Sequence, residues 1–157
     1  MLETVVYCTT ENEEETRLFY RQVLGLRPFG EQSYGHRLPN GVFLVFNRDE
    51  SAVQDWPPPH GAVGPVHTCF LAGAGEYENW KKDLAAKGVE IVKEIRWERG
   101  PRSFYFEDPA GNLLEIAEGD MWPGSVTRGN PAWAVAEGTV GHETCRNCAT
   151  SRATPAD

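Results

Sequence analysis

No run of the sequence approaches the roughly 18 apolar residues that a membrane-spanning helix needs. Nor does lysine or arginine cluster into the basic footprint that phosphate backbones demand. The 157 residues carry a net charge of −8, which argues against nucleic acid and leaves a small molecule as the expected partner. The opening "MLETVVYC" has no basic stretch ahead of an apolar one, so no secretory leader is expected and the chain reads as cytoplasmic. Cysteine is scarce. Of the four present, Cys8 and Cys69 lie inside strand-like runs, where a cytosolic thiol behaves as a small hydrophobe. What remains is an ordinary chain, of a length that buries about 70% of its unfolded surface.

The segment "ETVVYC" is β-branched, and "TTENEEETRLFYRQVLGL" after it has the chemistry of a helix start. Thr10 with Glu13, or Asn12 with Glu15, can form a cap, three glutamates complement the positive helix end, and Gly25 stops the helix. Three short strand candidates follow, "LRPFGEQ", "YGHRLP" and "GVFLVFNR", separated by Gly, Pro and Asn. Beyond the Pro- and Gly-rich "DESAVQDWPPPHGAVGP" the order repeats. The strand "VHTCFLAG" leads to the helix "YENWKKDLAAKG", with Tyr77, Trp80 and Leu84 on one stripe before Gly88, and then to "VEIVKEIRW", "RSFYFED" and "GNLLEIAE".

Two β-α-β-β-β modules are therefore expected, over 2–47 and 66–118, joined by a linker over 48–65 in one unit of 1–122. Superposing "GVFLVF" on "GNLLEI" puts Val45 on Glu115. Residues 123–157 have no sustained periodicity and read as an extended or partly disordered tail. Its "HETCRNC" offers a metal one histidine with Cys145 and Cys148, where structural zinc takes four ligands, so an inert or disulfide-forming tail is expected.

Glu115 stands among aliphatic residues in "RSFYFEDPAGNLLEI", and a buried carboxylate persists only where something compensates its charge. A hairpin closing around "EDPAGN" pairs Tyr105 with Glu115. Ser103, Tyr105, Leu113, Glu115 and Ala117 then share one face, while Arg102, Phe104, Phe106, Leu114 and Ile116 share the other. The face with the two phenylalanines reads as packed. Glu115 consequently looks into solvent or a polar cavity.

Two such modules ending in "FYFEDPAGNLLEI", with "FYRQVLGL" on the first helix, resemble the vicinal oxygen chelate superfamily of glyoxalase, bleomycin-resistance and extradiol-dioxygenase relatives. The resemblance covers about Leu2 to Trp122 and is specific at "DPAGNLLEI". It implies an α+β fold, an open and curled mixed sheet around a pocket, with a divalent metal held by the first and last strands of each module. Carried over residue by residue, it implies Glu115 and His67 as metal ligands, with Glu3 or Thr4 at the first-strand position of module one. Glu3 is preferred because it shares a strand face with Val5 and Tyr7; Val45, at the fourth position, cannot bind metal. Iron, manganese, zinc and nickel are not distinguished, and absence of metal would match the drug-sequestering members.

The resemblance further implies Tyr105 as a proton donor or substrate hydrogen-bonder beside the catalytic Glu115, and Tyr7, Val45, Cys69, Trp97, Arg102 and Ser103 as substrate contacts. Read from the residues alone, Arg102 could instead pair with Glu98 or Glu107, His36 should be exposed, and His60 belongs to the linker unless that loop folds over the pocket mouth. Trp56 and Trp97 could wall a pocket or cover the barrel ends. The expected function is metal-assisted chemistry on two oxygens of a small molecule, with metal-free capture of an antibiotic or toxin as the alternative. A homodimer is expected, since open modules leave apolar rims to cover.

Overall fold

The computed structural model describes residues 2–30, 34–119 and 121; Trp122, Cys145, Cys148 and the rest of the tail lie outside them. The β-branched opening forms β1 (Leu2–Cys8), which buries Val6 and Cys8 on one side and turns Glu3, Val5 and Tyr7 to the other. Helix α1 (Glu13–Leu18) carries its three glutamates in the first turn, as the positive helix end favours. Asn12 holds the N-cap position without capping, because its Oδ1 accepts from the Thr9 N–H at 2.8 Å instead. From Phe19 to Val23 the helix widens into a π turn, and Gly25, at φ 67°, ends it.

Strands β2 (Arg27–Pro28), β3 (Gly35–Leu38) and β4 (Gly41–Asn47) complete the first sheet. Within the stretch read as an irregular linker, Arg48–Ser51 forms a short helix, α2, capped by Asn47, whose side chain accepts from the Asp49 N–H. Then follow β5 (His67–Ala72), α3 (Tyr77–Ala86), β6 (Lys93–Arg96), β7 (Arg102–Glu107) and β8 (Leu113–Glu118). The sheets run β1-β4-β3-β2 and β5-β8-β7-β6, with β1 parallel to β4, β5 parallel to β8 and every other pairing antiparallel. This is an α+β fold of two open four-stranded mixed sheets with one topology.

One face of each sheet enters a shared apolar core. Val6, Phe43 and Val45 come from the first, Phe104, Phe106, Leu114 and Ile116 from the second, and Tyr20, Leu24 and Leu84 from the helical segments. The opposite faces carry Glu3, Val5, Tyr7, Leu44 and Phe46 on one sheet and His67, Cys69, Ser103, Tyr105 and Glu115 on the other. We call these the site faces.

Val45 is a correction. It is fully buried in the core and shares the face of Val6, so it neither contacts substrate nor matches Glu115. The reason is the turn. Gly41 is a paired strand residue opposite Leu38, reached through Pro39 and Asn40, whereas Gly111 sits inside the 108–112 turn at φ 78°. Aligning the two glycines therefore slips the register by one residue and flips every side chain to the other face. Gly41 has its own requirement, since a Cβ there would collide with the Leu2 carbonyl oxygen.

His36 is a second correction. The alternation of β3 pairs it with Phe43 on the core side, where it is fully buried against the rings of Tyr20 and Phe43, each at 6.3 Å. Neither ring nitrogen completes a hydrogen bond among the described residues. Burial holds its pKa below the ordinary 6.5; the Phe43 backbone opposes this, and Arg21 and Arg17 add smaller pushes in the same direction as burial. The unfolded chain takes up this proton near pH 6.5 and the folded chain only at lower pH. Its contribution to stability is thus complete above 6.5 and is lost as pH falls through 6.5 toward the folded value. The urea midpoint should hold between about pH 8 and 7 and decline from about 6.5 to 5, above the window of the lowered carboxylates Asp49, Glu94 and Glu118. His36→Leu should flatten that decline; an equally steep decline in the variant would assign it elsewhere.

Candidate active site

The β7–β8 turn sets the geometry. Asp108 Oδ1 accepts from the N–H groups of Ala110 and Asn112 at 2.9 and 2.8 Å, closing an Asx-type turn that fixes the hairpin register. Tyr105 then pairs with Glu115 as expected. Parallel pairing of β5 with β8 sets Cys69 beside Glu115 and His67 one pair earlier on the same face.

Glu115 is 5% exposed, and its charge is met at short range. The Tyr105 hydroxyl donates to Oε1 at 3.0 Å and His67 Nε2 stands 3.1 Å from Oε2. The His67 ring stacks on that of Tyr105 with centroids 6.1 Å apart. Behind the tyrosine, the Trp97 indole N–H donates to Ser103 Oγ at 2.9 Å, and that fully buried hydroxyl reaches the Tyr105 oxygen at 3.4 Å. Burial raises the Tyr105 pKa and its bond to Glu115 adds to the effect, while Ser103 opposes it, so the phenol stays protonated near neutral pH. Burial and the neighbouring Glu115 charge push the Cys69 thiol up to about 12. A thiol so shifted is neutral and no nucleophile.

The tautomer of His67 decides what the site wants. Its Nδ1 lies 3.2 Å from the Leu113 carbonyl oxygen, an acceptor only, so Nδ1 carries the proton. In the neutral ring Nε2 is then a lone pair, facing a carboxylate oxygen at 3.1 Å. Two acceptors at that separation need a proton or a cation between them. Two donors bound about 2.1 Å from one ion, at angles of about 90–109°, stand about 3.0–3.4 Å apart, so the observed spacing fits neighbouring ligands of one metal. A histidine that donates its other N–H to a carbonyl is also the usual metal-ligand arrangement. Among the described residues no three His, Cys, Asp or Glu side chains converge on one point, so these residues offer two protein donors here.

The structure thus gathers His67, Cys69, Trp97, Ser103, Tyr105 and Glu115, while Tyr7 and exposed Glu3 lie on the other sheet's site face. Arg102 is a correction: its guanidinium turns to Glu118 at 2.8 Å and Glu78 at 2.6 Å and lies over the Tyr77 ring, so it binds α3 to the sheet edge rather than reaching the site. Trp56 is 85% exposed and walls nothing among the described residues. His60 exceeds its linker reading. Its Nδ1 stands 3.2 Å from the Tyr7 hydroxyl and its ring meets Phe46 edge-on at 4.9 Å, so the linker folds across the first sheet's site face.

Residues 6–116 match the profile of the Glyoxalase/Bleomycin resistance protein/Dioxygenase superfamily. Glutathione transferase FosA of Serratia marcescens is 30% identical over 103 residues, 66% of this chain and 70% of that protein. A lactoylglutathione lyase from Agrobacterium tumefaciens superposes with a TM-score of 0.71 at 32% identity, over 78% of this chain and 96% of that one. A glyoxalase/dioxygenase from Nostoc punctiforme, 18% identical with a TM-score of 0.54 over 73% of this chain and 87% of its own, shares the fold.

Proposed function

Because the chain belongs to the glyoxalase/bleomycin resistance/dioxygenase superfamily, we propose that it is an enzyme that holds a divalent metal at His67 and Glu115 and acts on a small molecule carrying two neighbouring oxygens. The observation that carries this reading is the His67 Nε2 set 3.1 Å from a carboxylate that its surroundings bury. Bound there, the metal would polarise the substrate oxygens as a Lewis acid. Tyr105, protonated at neutral pH, donates a hydrogen bond to Glu115 and is placed to offer it to a substrate oxygen instead. Trp97 and Ser103 hold the phenol in place, and Glu115 is the group able to receive a substrate proton. Lyase and transfer chemistry are the activities named for the Agrobacterium and Serratia relatives, and the site's residues suit either.

The missing ligand is proposed to come from a homodimer, in which Glu3 of the partner subunit, on an exposed site face, approaches His67 and Glu115. A second reading rests on one observation: if the imidazole carries both protons, Glu115 is satisfied by Tyr105 and His67 alone, and the site would capture a ligand without metal. Elemental analysis of protein purified without added metal decides between them, with about one equivalent per chain expected and sedimentation as a dimer at micromolar concentration. Protein that stays metal-free after incubation with zinc, manganese, nickel and iron would establish the second reading. Monomers alone would remove the partner's carboxylate from the site.

A further inference from the structure

We infer a second ligand site, for a small carboxylate with a ring-sized apolar body, at the seam between the two modules and distinct from His67 and Glu115. The end of β1, the start of α2, the returning linker and the β7–β8 turn enclose a cleft of about 220 Å³. Arg48 is the only charged residue among the lining residues described; Tyr7 and Thr9 add hydroxyls, and Ala62, Pro65 and Ala110 add apolar surface. None of the residues around the Glu115 carboxylate lines it.

The guanidinium is only partly engaged. Its carboxylate neighbour, Asp49, approaches only through Nε at 3.6 Å, while Asp49 Oδ2 is engaged by the N–H and hydroxyl of Thr10 at 3.0 and 3.2 Å. The terminal amino groups of Arg48 have no partner among the described residues. Such a fork presents parallel N–H donors matched to a planar carboxylate. In a chain of net charge −8, a cleft whose one charge is positive selects for anions.

Volume sets the rest of the ligand. A cavity of about 150 Å³ accepts benzene, so this cleft has room for a six-membered ring and its carboxylate. Bare phosphate or acetate would leave the Ala62, Pro65 and Ala110 wall in contact with water. That wall is held in place, because the His60 N–H donates to the Ser51 carbonyl at 3.0 Å and the His60 ring is fixed by Tyr7 and Phe46.

The test is calorimetric titration of the full chain with benzoate, its neutral isostere benzamide, and acetate. For a ligand of benzoate size a saturable dissociation constant on the order of 1 mM is expected, with benzamide and acetate each at least roughly tenfold weaker. Arg48→Gln should weaken benzoate roughly tenfold, and Ala62→Trp, which fills the cleft and keeps the arginine, should do the same. His67→Ala should bind benzoate as the wild type does. Unsaturable benzoate binding, equal binding by Arg48→Gln or Ala62→Trp, or loss in His67→Ala would each overturn the assignment. The last result would move the ligand to the metal site without touching the proposed function.

Discussion

Replacing His67 with alanine is expected to empty the site of metal, from about one equivalent per chain to less than about a tenth, and to lower turnover at least roughly 1000-fold. The size of the effect follows from the donor count. On the proposed ligand set the described residues of one chain contribute an imidazole and a carboxylate, and removing the imidazole leaves carboxylates alone, which hold transition metals poorly. Folding should be spared, because the His67 side chain is 48% exposed and its loss opens no cavity. Elemental analysis beside a thermal melt separates the cases. A variant that keeps its metal at wild-type level would remove His67 from the ligand set. Lost turnover with full metal content would recast it as a substrate contact.

The element order and the Glu115–Tyr105 pairing were legible because strand alternation and the "EDPAGN" turn are local, and local chemistry is what a sequence displays most directly. The facing of Val45 was not legible. It turns on whether a glycine opens a strand or sits in a turn, and Gly41 and Gly111 look alike as letters. His36 was misplaced for a related reason: four-residue β3 is too short to display its alternation, and it is the pairing with Phe43 that turns the ring inward. Arg102 found Glu118 and Glu78 rather than nearer acids because β8 and α3 flank it in space. The Trp97–Ser103–Tyr105 arrangement joins a loop to a strand, and Arg48 beside the linker's return is equally non-local. Strand alternation put Ser103 beside Tyr105, but no residue type or spacing announced the indole's bond to Ser103 or the place of Arg48.

The second large effect is expected at Asp108, in the β7–β8 turn. This carboxylate is 5% exposed and accepts four hydrogen bonds: the Ala110 and Asn112 amides on Oδ1, the Tyr20 hydroxyl at 2.6 Å and Asn112 Nδ2 at 2.8 Å on Oδ2. Tyr20 is fully buried, and burial together with the Asp108 charge raises its pKa well above the usual value, so it remains a donor. Asn112 extends the network, donating to the Tyr7 carbonyl of β1 and accepting from the Val66 N–H ahead of β5. Asp108→Ala would strand the Tyr20 hydroxyl in the core and free the turn that sets the Tyr105–Glu115 register. Each buried group left unpaired costs about 1–3 kcal/mol, so a loss of about 3–5 kcal/mol is expected, or a fall in Tm of about 10–20 °C. Asp108→Asn should lose less, because Oδ1 survives while an amide nitrogen faces the Asn112 donor. Because the network ties β1, the first helical segment and the hairpin together, thermal unfolding should remain one transition at the lower temperature. A shift of less than about 1 kcal/mol in Asp108→Ala would show that water replaces the carboxylate, and that the junction between the modules rests on its apolar contacts alone.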